Sequence, residues 1–452
     1  MGAALVAMAA ALALDPEPGS AVLAVVLSLS LSRSQLDRDL RGRIEAAIAL
    51  PLVSLGALGI GLLLLHLPWL GAAAFIVGMA LSVGLRRYGV MGRKAGTLIA
   101  LPFIVLLMAP RLHSQALGPV MALIVPVLVA LVALLSVSLF HALGHHLGWL
   151  QAPIRAKAAV MAAAKTEGPR LLASDRMALQ MAAALGVAFV VGYLLFEKHW
   201  AWLVLTAYIV GSGNQGRLDV VYKSVLRVLG AAAGTVVALI AAQGMGGADA
   251  GSGTGTVALI LLSLFLGLWL RPLGYAWWAL FITLALALLQ SLEGAPPQGI
   301  LLPRLAEIVI GAWIGVASAW FVLPVRSTDV LRRRIADALA ALSDASSAEP
   351  FLTQLQAVEK VAAAFRALRL VSMRWHPSQP ADWVDELMAC RAPAVAMIEK
   401  GSAPGAVRKA LGAARKAMRE PAQIQPALAE LRATLEAAET TMPATISTKA
   451  AP

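Results

Sequence analysis

The chain is a succession of apolar runs of helical length, each cut off by charge, proline or glycine, and this pattern constrains the fold more than any other feature. Runs at 2–14, 20–31, 44–65, 70–85, 95–108 and 118–143 fill the first third. After a polar interruption six more follow at 177–196, 200–210, 225–242, 254–270, 273–289 and 301–323. Hydrocarbon offers no partner for a backbone N–H or C=O, so a segment crossing it must satisfy those groups internally, which makes the membrane part helical. A crossing needs about 20 residues. Several runs are shorter, so tilt has to be allowed for. The expected class is all-α: a polytopic membrane protein of about twelve membrane segments.

The loops between runs carry the orientation. Asp15 and Glu17 follow the first run, whereas Arg33, Arg38, Arg41 and Arg43 follow the second, and Arg86, Arg87, Arg93 and Lys94 follow the fourth. In the second half Arg217, Lys223 and Arg227 follow the second run and Arg271 the fourth, while the loop 244–255 has no cation. Cytoplasmic loops collect Lys and Arg, so the even loops are predicted to be cytoplasmic; Arg111 is outvoted. The same reasoning disposes of the formal net charge of +12, which in a soluble chain would point to nucleic acid. Six runs per half return the chain to its starting side, which predicts two parallel six-segment repeats. Weak echoes agree at a nearly constant offset: Leu36-Asp37 with Leu218-Asp219, Arg86 with Arg271, Gly89 with Gly274 and Pro119 with Pro303.

The expected domains are a first membrane repeat over 1–150, a cytoplasmic linker over 151–176, a second membrane repeat over 177–325, a cytoplasmic helical region over 326–440 and a disordered tail over 441–452. The linker's Arg155, Lys157, Lys165, Arg170 and Arg176 outnumber Glu167 and Asp175. In the C-terminal region helical spacing predicts helices at 329–342, 351–375, 381–400, 405–419 and 422–439. Arg332, Arg333 and Arg334, next to the last run, fit an inside anchor and contact with anionic lipid.

Polar groups inside a membrane are costly and for that reason tend to be functional. They concentrate in 197–235. A helix there puts His199, Trp202 and Thr206 on one face, a wall suited to an aromatic carboxylate; alternatively His199, Trp200 and Trp202 form an interfacial aromatic belt. Asn214, Gln215 and Arg217 sit in a glycine-rich break, read either as an anion vestibule shared with Arg227 or as a solvated turn. Gly230 with Gly234, and Gly311 with Gly315, are GxxxG steps that let helices approach closely. Glu307, inside the last run, needs a partner, and Arg304 one turn earlier is the candidate; Glu307 is then either a proton carrier or half of a structural pair. Tyr275, Trp277, Trp278, Thr283 and Gln290 form a second aromatic and polar cluster.

Trp202 followed by Thr206, the polar turn with Asn214 and Gln215, and Arg227 with Gly230 and Gly234 resemble the signature of the fusaric-acid-resistance (FUSC) and aromatic acid exporter family, in which Trp-x-x-x-Thr leads into Arg-x-x-Gly-Thr-x-x-Gly. Ala231 stands where that family usually has Thr. The last run, with Arg304, Glu307 and Gly311, is similar to the family's closing helix. The resemblance implies an inner-membrane efflux component for aromatic or related organic acids, working in some members with a periplasmic adaptor protein. Expected partners are membrane lipids, a small organic anion, such an adaptor and further copies of the chain, with no nucleic acid. A proton-coupled exporter leads; a passive anion channel and a non-transport scaffold or sensor are the alternatives.

No enzyme is expected, since no nucleophile elbow, P-loop or dinucleotide fingerprint occurs. No cofactor and no metal are expected either. His141 and His145 have metal-compatible spacing, but no carboxylate or thiol lies near them in sequence, and the single cysteine, Cys390, excludes a disulfide within the chain.

Overall fold

The computed structural model describes residues 2–14, 24, 25, 27–29, 31, 32, 40–108, 119–148, 172–196, 200–244, 254–292, 297–372, 379–400 and 404–441. Among them every regular element is helical. The chain divides into two compact units, Met1–Gly213 with Lys223–Pro324, and Asn214–Tyr222 with Val325–Pro452.

The first unit contains α1 (Gly2–Leu14), α2 (Leu40–His66), α3 (Pro68–Gly84), α4 (Gly89–Met108), α5 (Pro119–His146), α6 (Ala173–Leu195), α7 (Trp200–Gly211), most of α8 (Arg217–Gly244), α9 (Thr254–Trp269), α10 (Tyr275–Leu292) and α11 (Pro297–Phe321). Five stretches are long and apolar enough to cross a membrane: Pro68–Tyr88, Val127–Gly144, Ala173–Leu195, Arg217–Ile240 and Pro303–Phe321. Shorter apolar helices stand at Gly2–Leu14, Pro51–His66, Trp200–Gly211, Ala258–Trp269 and Tyr275–Leu288. The expected run 20–31 and the linker before Leu172 lie largely or wholly outside the described residues, and the linker's last residues belong to α6, which begins at Ala173.

Where the sequence separates two runs at 44–65 and 70–85, the structure makes a hairpin. Pro68 opens α3 directly after Leu67, the one non-helical residue between α2 and α3. A Cβ on Gly71 would lie 2.4 Å from the Leu64 backbone nitrogen, so glycine is what lets the two helices turn this tightly. α3 then runs antiparallel to α6. Arg87 pairs with Asp175 at 3.5 Å at one end, and the Tyr193 hydroxyl donates to the Pro68 carbonyl at 3.2 Å at the other.

The core of this unit joins Phe75 and Met79 of α3, Phe103 and Leu107 of α4, Leu185 and Phe189 of α6 and Leu203 to Leu205 of α7. α7 is the centre of it. Every residue from Ala201 to Tyr208 is buried, as expected of a helix that is hydrophobic all round. At 12 residues it is about 18 Å long, well short of a hydrocarbon layer of about 30 Å, so α7 lies inside the bundle rather than spanning by itself. Trp200, read from sequence as part of an interfacial belt, packs at 5.4 Å on both Phe189 and Tyr193.

At the end of α11, Gln180 of α6 is buried and donates from Nε2 to the carbonyls of Val322 and Leu323, at 2.9 and 3.1 Å. The two bonds satisfy carbonyls left open at a helix C-terminus. Leu323 itself adopts φ +46, a left-handed conformation that costs a residue with a side chain roughly 1–2 kcal/mol. Leu323→Gly is expected to raise the midpoint of thermal unfolding in detergent by a few degrees, whereas Gln180→Ala, which strips both carbonyls of their donor, is expected to lower it.

The second unit holds α12 (Ser327–Ser343), α13 (Ala348–Ser372), α14 (Pro380–Ala389), α15 (Arg391–Glu399), α16 (Gly405–Ala417) and α17 (Pro421–Thr441) around a core that includes Leu331, Ile335, Phe351, Val384, Cys390, Leu411 and Leu428. Its helices follow the expected ones closely, with one correction: the predicted helix 381–400 is two helices meeting at Cys390. Pro393 lies in the first turn of α15, where its missing N–H costs least; inside one continuous helix it would remove an interior bond. Gln379 and Asp382 form a capping box at α14, with the Gln379 N–H donating to Asp382 Oδ2 at 2.8 Å. Arg332 is also corrected. Its Nε donates to the Met418 carbonyl at 2.9 Å, so it closes the end of α16 instead of reaching for lipid.

Burial pushes the Cys390 thiol up to about 12, with the Glu386 carboxylate adding to the rise. Only the thiolate is nucleophilic, so iodoacetamide at pH 8 should leave Cys390 unmodified in the folded chain and alkylate it after denaturation. Fast labelling of the folded protein, read by mass spectrometry, would show that the bundle around it opens.

Candidate anion site

Two pairs of helices in the first unit are drawn together by glycine. α11 runs alongside α7 in the same direction. A Cβ on Gly311 would lie 2.6 Å from the Leu203 carbonyl oxygen and 3.0 Å from Thr206 Cβ, and one on Gly315 would lie 2.9 Å from Val210. α8 and α10 are related in the same way: a Cβ on Gly230 would lie 2.5 Å from the Ala276 carbonyl oxygen and one on Gly234 2.5 Å from that of Leu280. Close backbone approach of this kind is what small residues four apart provide. It fixes which polar side chains meet.

On the first pair, the Arg304 guanidinium stands 3.8 Å from the centre of the Trp202 ring, a cation–π contact between buried groups. Glu307, one turn further along α11, lies within Coulombic reach of Arg304. On the second pair, Arg227 of α8 lies within Coulombic reach of the Tyr275 hydroxyl of α10 and of Arg304 itself. Arg227 and Arg304 are each 2% exposed, Glu307 1% and Thr206 0%.

Buried polar atoms normally have partners, and leaving one without costs roughly 1–3 kcal/mol, more for a charge. Here the exceptions gather. Thr206 Oγ1, Arg227 Nε and both oxygens of Glu307 are buried without a hydrogen-bond partner, while the Tyr275 hydroxyl is within hydrogen-bonding reach of the Arg227 guanidinium. Thr283, elsewhere in the same unit, shows the ordinary arrangement, its hydroxyl donating to the Ala279 carbonyl one turn back at 2.7 Å. Two guanidiniums, one carboxyl and one phenol make a site that is cationic when all charged groups are ionised. An indole face, a hydroxyl and unspent N–H donors in a dry setting suit an anion with an apolar body.

Trp202 and Thr206, read from sequence as part of one wall, lie on α7 against the helix that carries Arg304 and Glu307, and Arg227, read as part of an anion vestibule, comes within Coulombic reach of Arg304. Arg304 makes no hydrogen bond to Glu307; its guanidinium is on Trp202 instead. His199 lies outside the described residues. Asn214, Gln215 and Arg217 belong to the second unit, where the first two lead into α8 and Arg217 is its first residue. The Gln215 N–H donates to Asp219 Oδ2 at 2.8 Å, the Arg217 N–H to the Val325 carbonyl at 3.1 Å and the Leu218 N–H to Ser327 Oγ at 2.8 Å. Gly216 allows this with φ +117, and a Cβ there would lie 2.7 Å from Ser327 Oγ. These are the bonds of a helix cap. Tyr275 is the member that sequence reasoning placed in the wrong company: it was grouped with its chain neighbours Trp277 and Trp278, and only the α8–α10 approach puts it beside Arg227.

No curated protein and no solved structure matches the chain. Residues 185–318, which run from α6 through α11 and contain Trp202, Thr206, Arg227, Tyr275, Arg304 and Glu307, match the family model described as fusaric acid resistance protein-like. That stretch carries a domain similar to this family, in agreement with the signature read from Trp202 to Gly234.

Proposed function

We propose that the protein is a secondary transporter, not an enzyme, that exports aromatic or related organic acids across a bacterial inner membrane. One observation carries the reading: buried polar atoms of Thr206, Arg227 and Glu307 that have no hydrogen-bond partner fall on the same closely packed helices as Arg304, Trp202 and Tyr275, in a unit rich in apolar helices. A substrate carboxylate meets Arg227 and Arg304, its ring meets the indole of Trp202, and Thr206 and Tyr275 supply hydrogen bonds. Glu307 is the group that carries a proton when the guanidiniums take the substrate, which makes export proton-coupled. The five long helices and the shorter apolar ones fit an arrangement of about twelve segments in two repeats, with the C-terminal unit inside the cell by the loop charges. A periplasmic adaptor and self-association complete the proposal.

The test is accumulation of a panel of small aromatic acids in cells lacking and overexpressing the protein, followed by proteoliposomes loaded with the best of them. Export that stops when the proton gradient is collapsed supports the coupled carrier. An unchanged rate replaces it with a passive anion channel, and no transported acid together with a lost phenotype points to a scaffold.

A further inference from the structure

Helix α16 of the second unit has two chemically opposite faces. Val407, Ala410, Leu411, Ala414 and Ala417 are buried in the bundle, which fixes the rotation of the helix. The other face presents Arg408, Lys409, Arg415 and Lys416, all exposed, with exposed Arg419 just beyond; the helix has no carboxylate. Arg415 donates to Ser343 Oγ at 3.4 Å. Among the described residues no ion pair neutralises Arg408, Lys409, Lys416 or Arg419. The same unit handles its other arginines differently. Arg369 pairs with Asp382 at 2.9 Å and Asp385 at 2.6 Å, Arg366 with Glu359 and Asp385, and Arg432 with Glu386 and Glu436. Positive charge is left unneutralised on one flat face.

We propose that this face is a docking surface for the anionic phospholipid headgroups of the bilayer. The other exposed residues of α16 are Gly405, Ala406, Gly412 and Ala413. Single-stranded nucleic-acid surfaces interleave cations with aromatic rings on which bases stack, and α16 has none. A protein partner would need an apolar or aromatic anchor at the centre of the contact, which is equally absent. Fluid headgroups need neither, because they arrange themselves against a smooth cationic surface, each Lys or Arg near it adding to the attraction. This unit follows the last candidate span directly in the chain, Phe321 ending the span and Val325 opening the unit. Long apolar side chains are missing from the exposed face, so the contact is electrostatic, shallow and sensitive to salt.

The test uses the full chain carrying Ala413→Cys, labelled there with an environment-sensitive fluorophore; buried Cys390 does not compete for the label. The protein is placed in nanodiscs with equal amounts of a headgroup-quencher lipid, in phosphatidylcholine alone or with about 30% phosphatidylglycerol. The expected result is quenching at least about twofold stronger in the anionic discs, collapsing near 0.5 M salt, roughly where the screening length falls to a few ångströms. The combined variant R408Q/K409Q/R415Q/K416Q should show only the phosphatidylcholine value, with Cys390 still protected from alkylation as proof that its bundle is intact. Equal quenching in both discs, or a lipid effect that salt leaves unchanged, overturns the proposal. So does salt-sensitive binding of a short RNA, lost in the combined variant, without quenching in either disc.

Discussion

Arg227→Met is expected to abolish export of organic acids while leaving the protein as stable as the parent or more so. The guanidinium is 2% exposed and its Nε has no hydrogen-bond partner. Holding an ion in such a place costs several kcal/mol unless a counter-charge and hydrogen bonds compensate it. A methionine of similar reach fills the space without that cost, so the folded state gives up little beyond the contact with the Tyr275 hydroxyl. In the proposed role of Arg227 the substrate loses a charged, desolvated contact. Truncating one side of a buried charge pair costs about 2–5 kcal/mol, or roughly 30-fold to several thousand-fold in binding. Export and thermal unfolding of the same purified variant make the comparison. Normal export by a well-inserted Arg227→Met protein removes Arg227 from the pathway. Lost export with a large drop in unfolding temperature means that the arginine holds the helices together and is not a ligand.

Gly311→Leu has the opposite signature, a failure of assembly. A Cβ at Gly311 would sit 2.6 Å from the backbone oxygen of Leu203, and a backbone atom of the buried α7 cannot swing aside as the end of a side chain can. Overpacking a tight interior usually costs about 1–3 kcal/mol, occasionally more. A leucine meeting backbone between two packed helices belongs at or above the top of that range. Detergent extracts analysed by fluorescence-detected size exclusion should show aggregate in place of a monodisperse peak. Gly186→Leu is the control, because nothing lies within 4 Å of a Cβ at Gly186. A monodisperse, active Gly311→Leu protein would mean that α7 and α11 are not held at this distance.

The two variants also separate the kinds of information the chain carries. Gly311 and Gly315 were legible as a packing step because the GxxxG spacing describes one helix face, and a helix face follows from 3.6 residues per turn. Trp202 with Thr206 was legible for the same reason. The pairing of Arg304 with Glu307 was also argued along one helix, and there the local argument fell short: the nearest residue in sequence is not what the guanidinium touches. The break at Cys390 could have been read from Pro393, which marks the first turn of a new helix. The capping of α8 by Ser327 had no such signal, since more than a hundred residues of chain separate Leu218 from its acceptor.

What the sequence by itself determined is the solvent and the secondary structure. Long apolar runs must satisfy their backbone internally, so they are helices, and charge, proline and glycine decide where they stop. Only the tertiary structure decided the site. Arg227, Tyr275, Arg304, Glu307 and Trp202 lie on four different helices, and periodicity fixes which residues share a face of one helix but not which faces meet. That depends on how closely two backbones can approach at Gly230, Gly234, Gly311 and Gly315, a property of pairs of helices that a linear pattern does not contain.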